Sequence, residues 1–166
     1  MNQKNSKHLY AFCLGLLLII TSSCGFHLRG NVVLPEIYQK VYVMDKGAGD
    51  ISILLKQSLV NNKVVLVDSA QSATSIITLY SQKVTRRAIA VRGKEVKEYE
   101  IQLNVSFAVQ EASGKQRGES QHISTIRRYS FNNNQVLGSN NEEQILIKEM
   151  REDIVRQILR RLSTIK

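Results

Sequence analysis

Cys24 is the residue of this sequence with the most distinctive chemistry. It stands in the stretch ITSSCGFHLRG, after small residues and before a glycine, while the other cysteine, Cys13, lies within an apolar leader. A chain that loses its leader keeps one cysteine and therefore has no internal disulfide. An unpaired thiol is unusual in an oxidising compartment. The sulfur of Cys24 is therefore available for a metal, for thiol chemistry or for covalent modification.

Metal binding and catalysis find little support in the residue pattern. The three histidines, His8, His27 and His122, lie far apart, and a zinc site needs three or four ligands. The sequence has no glycine-rich phosphate loop, no nucleophile elbow and no pair of acids in an apolar context. We therefore expect no catalytic residue, no metal and no cofactor, so the protein is predicted not to be an enzyme.

The leader itself predicts export. Lys4 and Lys7 precede twelve apolar residues at positions 9–20, a run that is short against the roughly 20 residues of a membrane span. An uncleaved anchor helix is the alternative. Small residues before Cys-Gly are typical of a bacterial lipoprotein signal, although Thr21 stands where leucine is usual. In such signals the cysteine sulfur receives diacylglycerol and the new N-terminus a third acyl chain, so Cys24 is the predicted lipidation site.

A basic cluster surrounds one predicted hairpin. Between positions 83 and 97 the only acid is Glu95. Guanidinium groups bind phosphate with paired hydrogen bonds, so this cluster suits a phosphorylated ligand, although a solvated basic surface has the same composition. We predict a phosphate-binding site at Arg86, Arg87, Arg92 and Lys94. The six basic residues of the segment are Lys83, Arg86, Arg87, Arg92, Lys94 and Lys97.

Net charge narrows the class of partner. The whole chain has 23 Lys and Arg against 14 Asp and Glu, and the leader contributes two lysines and no acid. From Cys24 onward the chain therefore carries +7, which concerns partners and not the fold. Outside the cytoplasm the abundant polyanions are phosphorylated lipids and glycolipids. We expect no nucleic-acid partner.

Hydrophobic periodicity predicts a two-layer α/β sandwich. Strands are indicated at 41–45, 64–67, 75–91, 98–110 and 120–131, with a helix from Asp50 to about residue 61 and a second from Asn140 to the end. Asn140 and Glu143 have the spacing of a capping box. The mixed sheet is expected to have four to five strands with both helices packed on one face. The predicted organisation is a signal peptide at 1–23, a tether at 24–36 and one domain at 37–166.

The stretch CGFHLRG, followed by LP at 34–35, resembles the N-terminus of the LptE family of LPS-assembly lipoproteins of Gram-negative bacteria. Two further stretches are similar to this family: 92–99 with the strand after it, and 141–162. Together they span most of the chain after Cys24. The sequence departs from the family at Ser139, where a basic residue would strengthen the loop before the last helix.

The resemblance implies a non-enzymatic component of the lipopolysaccharide transport machinery. Members of the family sit as a plug inside the large β-barrel LptD in a one-to-one complex, help that barrel to assemble, and bind lipopolysaccharide during its insertion into the outer leaflet. Gly25 in place of aspartate implies, by resemblance to enteric lipoproteins, export to the outer membrane. The family resemblance implies that the lipid-anchored domain faces the periplasm and the barrel lumen. The alternative is a lipid-anchored structural or adaptor lipoprotein whose basic face binds anionic envelope polymers.

Overall fold

The computed structural model describes residues 32–132 and 135–165, and the predicted signal peptide and Cys24 lie outside these residues. The helices are α1 (Asp50–Asn61) and α2 (Val136–Leu162), with short 3-10 turns at Glu36–Tyr38 and Ala70–Ser72. The strands are β1 (Lys40–Lys46), β2 (Val65–Leu66), β3 (Ser75–Tyr80), β4 (Lys83–Arg92), β5 (Glu95–Glu111) and β6 (Gln121–Ser130).

The first half of the sheet is parallel. β1 pairs with β2 on one side and with β3 on the other, and α1 forms the crossover from β1 to β2. After β1 the chain turns sharply because the Asp45 carboxylate accepts the backbone N–H groups of Gly47 and Ala48. Gly47 has a φ of +102°, and a Cβ there would lie 2.8 Å from the Ser81 hydroxyl oxygen. Both the positive φ and the close approach of Ser81 therefore favour glycine at position 47 of this turn.

The second half is an antiparallel meander built on β5, as the sequence predicts. β3 and then β4 pair with the same side of β5, separated by a break at residues 81–82, and β6 pairs with the other side. The stretch 75–91, expected as one strand, is therefore two. The two-layer α/β sandwich is confirmed, with six strands because of this break.

One face of the sheet and the two helices enclose the core. The alternation predicted for β5 is observed, because Ile101, Leu103, Val105 and Phe107 are all buried. They pack with the apolar stripes of both helices, including Ile154 of α2. At the N-terminal side, residues 32 and 34 also pack against this core. In residues 32–132 and 135–165, no helix combines the length and the apolar character needed to cross a membrane.

The start of α2 differs from the prediction. The helix begins at Val136 with Gln135 as its N-cap, so Asn140 and Glu143 do not form a capping box and the first turn contains no acid. Ser139 lies within the helix rather than in a preceding loop, and its buried hydroxyl accepts the backbone N–H of Asn132 at 3.3 Å. This contact ties the start of α2 to the chain leaving β6. The basic last turn, Arg160 and Arg161, is as predicted.

Candidate phosphate-binding hairpin

The four predicted phosphate-binding residues lie along the β4–β5 hairpin but do not form a single site. Arg86 and Arg87 are consecutive residues of β4, so their side chains point to opposite faces of the sheet. Arg92 and Lys94 flank Gly93, which has a φ of +64°, at the hairpin turn. The structure therefore separates one arginine on each face from a pair of cations at the tip.

Arg86 faces the helix layer and is held by α2. Its Nη1 atom donates to Oε2 of Glu143 at 2.7 Å, and its guanidinium lies 4.5 Å from the centroid of the Tyr99 ring. The hydrogen bond to Glu143 raises the pKa of Arg86. This arginine carries a fixed charge whose nearest partner is within the protein.

Glu143 has a second partner, the hydroxyl of Tyr129. That hydroxyl donates to the same Oε2 atom at 2.5 Å, and burial together with the neighbouring carboxylate raises the pKa of Tyr129 to about 12. Tyr99 stacks on Tyr129 with ring centroids 5.8 Å apart and meets Phe131 edge-on at 5.2 Å. Together with Arg86 these four residues form a set of five, here called the Glu143 cluster. The cluster joins β4, β5, β6 and α2. The sequence pattern missed it because Glu143 was assigned to a helix cap.

Replacing Glu143 by alanine is expected to lower the free energy of unfolding by about 1–3 kcal/mol, because the buried Tyr129 hydroxyl loses its acceptor. Urea denaturation of the purified protein measures this difference. The matched control is Glu142→Ala, since Glu142 is exposed beside it in the same helix. A surface change of this kind is expected to stay within about 0.5 kcal/mol. Equal effects of the two substitutions would contradict a supporting role of the cluster.

Arg87 faces the polar side of the sheet and shares a carboxylate with β6. Glu100 of β5 lies between Arg87, at 2.7 Å, and Arg128, at 3.0 Å. The side chain of Glu100 is only 6% exposed, whereas those of the two arginines are 75% and 68% exposed. Hydrogen bonds from Arg128 and Arg87 lower the pKa of Glu100. Each arginine keeps most of its surface available to a second anion.

The acid dependence of stability is expected to change in Glu100→Gln. Since the pKa of Glu100 is lowered by folding, its contribution is complete above the unfolded value of about 4.3 and is lost as pH falls through the folded value. The wild type should therefore exceed the variant in melting temperature at pH 7, and the gap should close toward pH 3. Thermal melts across this range measure it, with Glu98→Gln, an exposed neighbour, as control. A gap independent of pH would exclude this ion-pair contribution.

Arg92 and Lys94 are exposed at the hairpin tip, and in the described residues neither has an ion pair. Lys97 nearby is paired with Glu95 at 2.6 Å. A cation that has no ion pair within the protein is free to form one with an external anion. The tip is therefore the part of the predicted site that fits phosphate best. Whether all four predicted residues bind lipopolysaccharide stays a prediction.

The rest of the polar face continues along β5. Gln102 donates through Nε2 to Oδ1 of Asn104 at 3.3 Å and to the hydroxyl of Ser124 at 3.1 Å. Farther along β5, Oγ of Ser106 and Nδ1 of His122 are within hydrogen-bond distance at 3.2 Å. Within the described part of the chain, no three His, Cys, Asp or Glu side chains are grouped to hold a metal. What the face offers is a hydrogen-bonding surface with a basic end.

Two solved bacterial lipoproteins share this fold. Lipoprotein B of Nitrosomonas europaea, solved by NMR, has a TM-score of 0.71 and 28% identity, covering 84% of this chain and 90% of its own. The rare lipoprotein B of Shewanella oneidensis shares the fold with a TM-score of 0.66 at 23% identity, over 75% and 94% of the two chains. The architecture is therefore that of a bacterial α/β lipoprotein.

Residues 38–162 match the model of the LptE family, described as lipopolysaccharide-assembly. The chain belongs to the LptE family. Two curated relatives carry the name LPS-assembly lipoprotein LptE. The protein of Pectobacterium atrosepticum is 29% identical over 95% of this chain and 86% of its own length, and that of Photorhabdus laumondii is 25% identical over 92% and 84%. The resemblance predicted from the sequence is thereby confirmed.

Proposed function

We propose that this chain is an outer-membrane lipoprotein of the lipopolysaccharide transport machinery, without enzymatic activity. In this proposal residues 1–23 are removed, Cys24 is acylated, and residues 24–36 lead from the lipid anchor to the folded domain. The domain plugs an LptD-like β-barrel in a one-to-one complex, assists its assembly, and binds lipopolysaccharide for insertion into the outer leaflet. The observation that carries the proposal is the family match across nearly the whole folded domain.

The polar side of the sheet supports the plug role. The lumen of a large membrane barrel is polar, so a plug needs a surface of hydrogen-bonding groups rather than an apolar one. Gln102, Asn104, Ser106 and His122 form such a surface along β5 and β6. The same face ends at Arg87 and Arg128, whose guanidinium groups are largely exposed.

The hairpin tip supports the binding of lipopolysaccharide. Phosphate groups of this ligand form charge-assisted hydrogen bonds most readily with cations that are not already paired with a carboxylate of the protein. Arg92 and Lys94 satisfy this requirement, and Arg87 does so in part because three quarters of its side chain is exposed. Arg86 is less exposed than Arg87, with 43% against 75% of its side chain, and its guanidinium is held by Glu143, so it is expected to contribute least.

Affinity purification of the tagged full chain from outer membranes in a mild detergent tests the plug role. The expected result is a large β-barrel protein in a one-to-one ratio, absent when an unrelated outer-membrane lipoprotein with the same tag is used. Recovery of no single barrel, together with retention of anionic polymer, would overturn the plug role. It would favour instead the adaptor function that the net charge of the chain also allows.

A further inference from the structure

β4 is an edge strand, and among residues 32–132 and 135–165 no strand pairs with its outer edge. Nine of its ten residues are exposed, and only Ala90 is half-buried. In the described part of the chain β4 pairs only with β5, because β1 pairs with β3 and ends at Lys46, opposite Tyr80. Beyond that point no described strand lies along the outer edge of β4.

The register of β5 fixes which backbone groups of its neighbours point outward. The carbonyl of Lys97 accepts the N–H of Phe131 on the β6 side, and the N–H of Ala112 donates to the carbonyl of Thr74 on the opposite side. Both hydrogen-bonding groups of one residue in a strand point the same way, and successive residues alternate. Odd-numbered residues of β5 therefore bond to β6, and even-numbered ones bond to β3 and β4.

This alternation carries over to β4. Thr85 lies opposite Gln102, and Arg87 lies opposite Glu100, so both residues of β4 bond to β5. The residues between and beside them direct their N–H and C=O groups away from the sheet. The residues with outward-facing backbone groups are Val84, Arg86 and Ala88.

The opposite edge of the sheet, β6, is protected in a way that β4 is not. By the same alternation the carbonyls of His122 and Ile126 point outward. The first accepts a hydrogen bond from Arg161 at 2.9 Å and the second from Arg127 at 3.0 Å. In the described residues no side chain forms a hydrogen bond with the outward backbone N–H and C=O groups of β4. The basic side chains of β4 and its register shifts near Ala90 protect this edge against a like-charged strand, so it is open to pairing with a strand of complementary charge.

The charge of β4 indicates what kind of strand would pair with it. Lys83, Arg86, Arg87 and Arg92 are basic and the strand has no acid. Opposite charges on directly opposed residues stabilise an antiparallel pair, and like charges destabilise it. A second copy of β4 paired about Arg86 would bring arginine against arginine, whereas an extended segment with carboxylates at alternating positions would complement this edge.

We propose that the barrel partner supplies an extended, carboxylate-bearing segment that pairs with the free edge of β4 as an added strand. Main-chain hydrogen bonds to Val84, Arg86 and Ala88 hold the segment, and cations such as Lys83 and Arg92 select its acidic side chains. This inference rests on the proposed function, because it places a strand of the same partner at a specific edge of this domain.

Residue-resolved hydrogen exchange on the full chain, alone and in its purified complex with the barrel, tests the proposal. The amides of Val84, Arg86 and Ala88 should exchange quickly in the free protein and at least tenfold more slowly in the complex. Those of Thr85 and Arg87 should be protected in both states. Unchanged exchange of the three amides in an intact one-to-one complex would overturn the added strand alone. Failure to obtain any complex would overturn it together with the plug role, and protection in a barrel-free dimer would assign the edge to a second copy.

A proline substitution provides a second measurement. Val84→Pro removes one outward N–H without removing a bond to β5, which edge strands tolerate. It should weaken the complex with the barrel at least tenfold. The matched control is Ile126→Pro, which should keep wild-type affinity, because Ile126 lies opposite Gln102 and its N–H points outward from β6. Circular dichroism checks both folds. Wild-type affinity of a folded Val84→Pro variant would exclude the added strand. If that variant does not fold, the hydrogen exchange of the wild-type protein in the complex decides whether the strand is added.

Discussion

Cys24→Ser is expected to abolish acylation of the mature N-terminus and with it the stable membrane attachment of the protein. A serine hydroxyl does not replace the sulfur that receives diacylglycerol, and without the processing that follows, no third chain is added. A single acyl chain gives only marginal membrane binding, whereas three exceed what stable anchoring requires. The effect is therefore expected to be complete rather than graded.

Mass spectrometry of the N-terminal peptide, with membrane fractionation, measures this loss. The matched control is Cys13→Ser, because Cys13 lies within the apolar run of the leader and should be absent from the mature protein. That variant should be acylated and localised as the wild type. A wild-type mature protein with a free Cys24 thiol, or one that still carries residues 1–23, would contradict the predicted signal.

Reversing both charges at the hairpin tip, in Arg92→Glu with Lys94→Glu, is expected to weaken lipopolysaccharide binding by at least about a hundredfold at low salt. A hydrogen bond to a charged group contributes about 1.5–3 kcal/mol, and two of them are removed. Each 1.4 kcal/mol corresponds to a factor of ten in the dissociation constant. The difference from wild type should narrow in high salt because these groups are exposed and their interactions are screened.

Fluorescence titration with labelled lipopolysaccharide at low and high ionic strength measures both effects. The matched control is Lys56→Glu with Lys115→Glu, which makes the same change in net charge. Both positions are exposed, the first on α1 and the second in the connection between β5 and β6. The control variant should keep most of its affinity at either salt concentration. If the tip variant also bound as the wild type at low salt, the ligand assignment would fail while the plug role remained.

Local patterns in the sequence predicted the fold well wherever one element buries one face. The alternation along β5 and the apolar stripe of α2 both reflect burial against the core, so they are visible without the structure. The break between β3 and β4 was not visible. It depends on where β1 ends, since Gln82 donates its N–H to the carbonyl of Gly47 and Ser81 bonds to that of Lys46. Such a contact joins positions about 35 apart and leaves no local pattern.

The candidate site was predicted in composition but not in arrangement. Its basic residues are evident from the sequence, yet the two carboxylates that engage them were not identified. Glu143 is 57 positions from Arg86, and its spacing from Asn140 matched a helix cap that the structure does not form. Glu100 was expected as one polar residue among several on β5. Only the strand register brings it between Arg87 and Arg128.

The length of β4 determines how far the β4–β5 hairpin extends. Ten residues in an extended strand measure about 34 Å. The apolar band around a membrane barrel is about 25 Å tall. The Glu143 cluster holds the hairpin at Arg86, about 24 Å of extended strand from the turn at Gly93, a length comparable to the height of that band. Under the proposed plug role, a domain held at one mouth of a barrel would therefore carry this charged turn close to the other mouth.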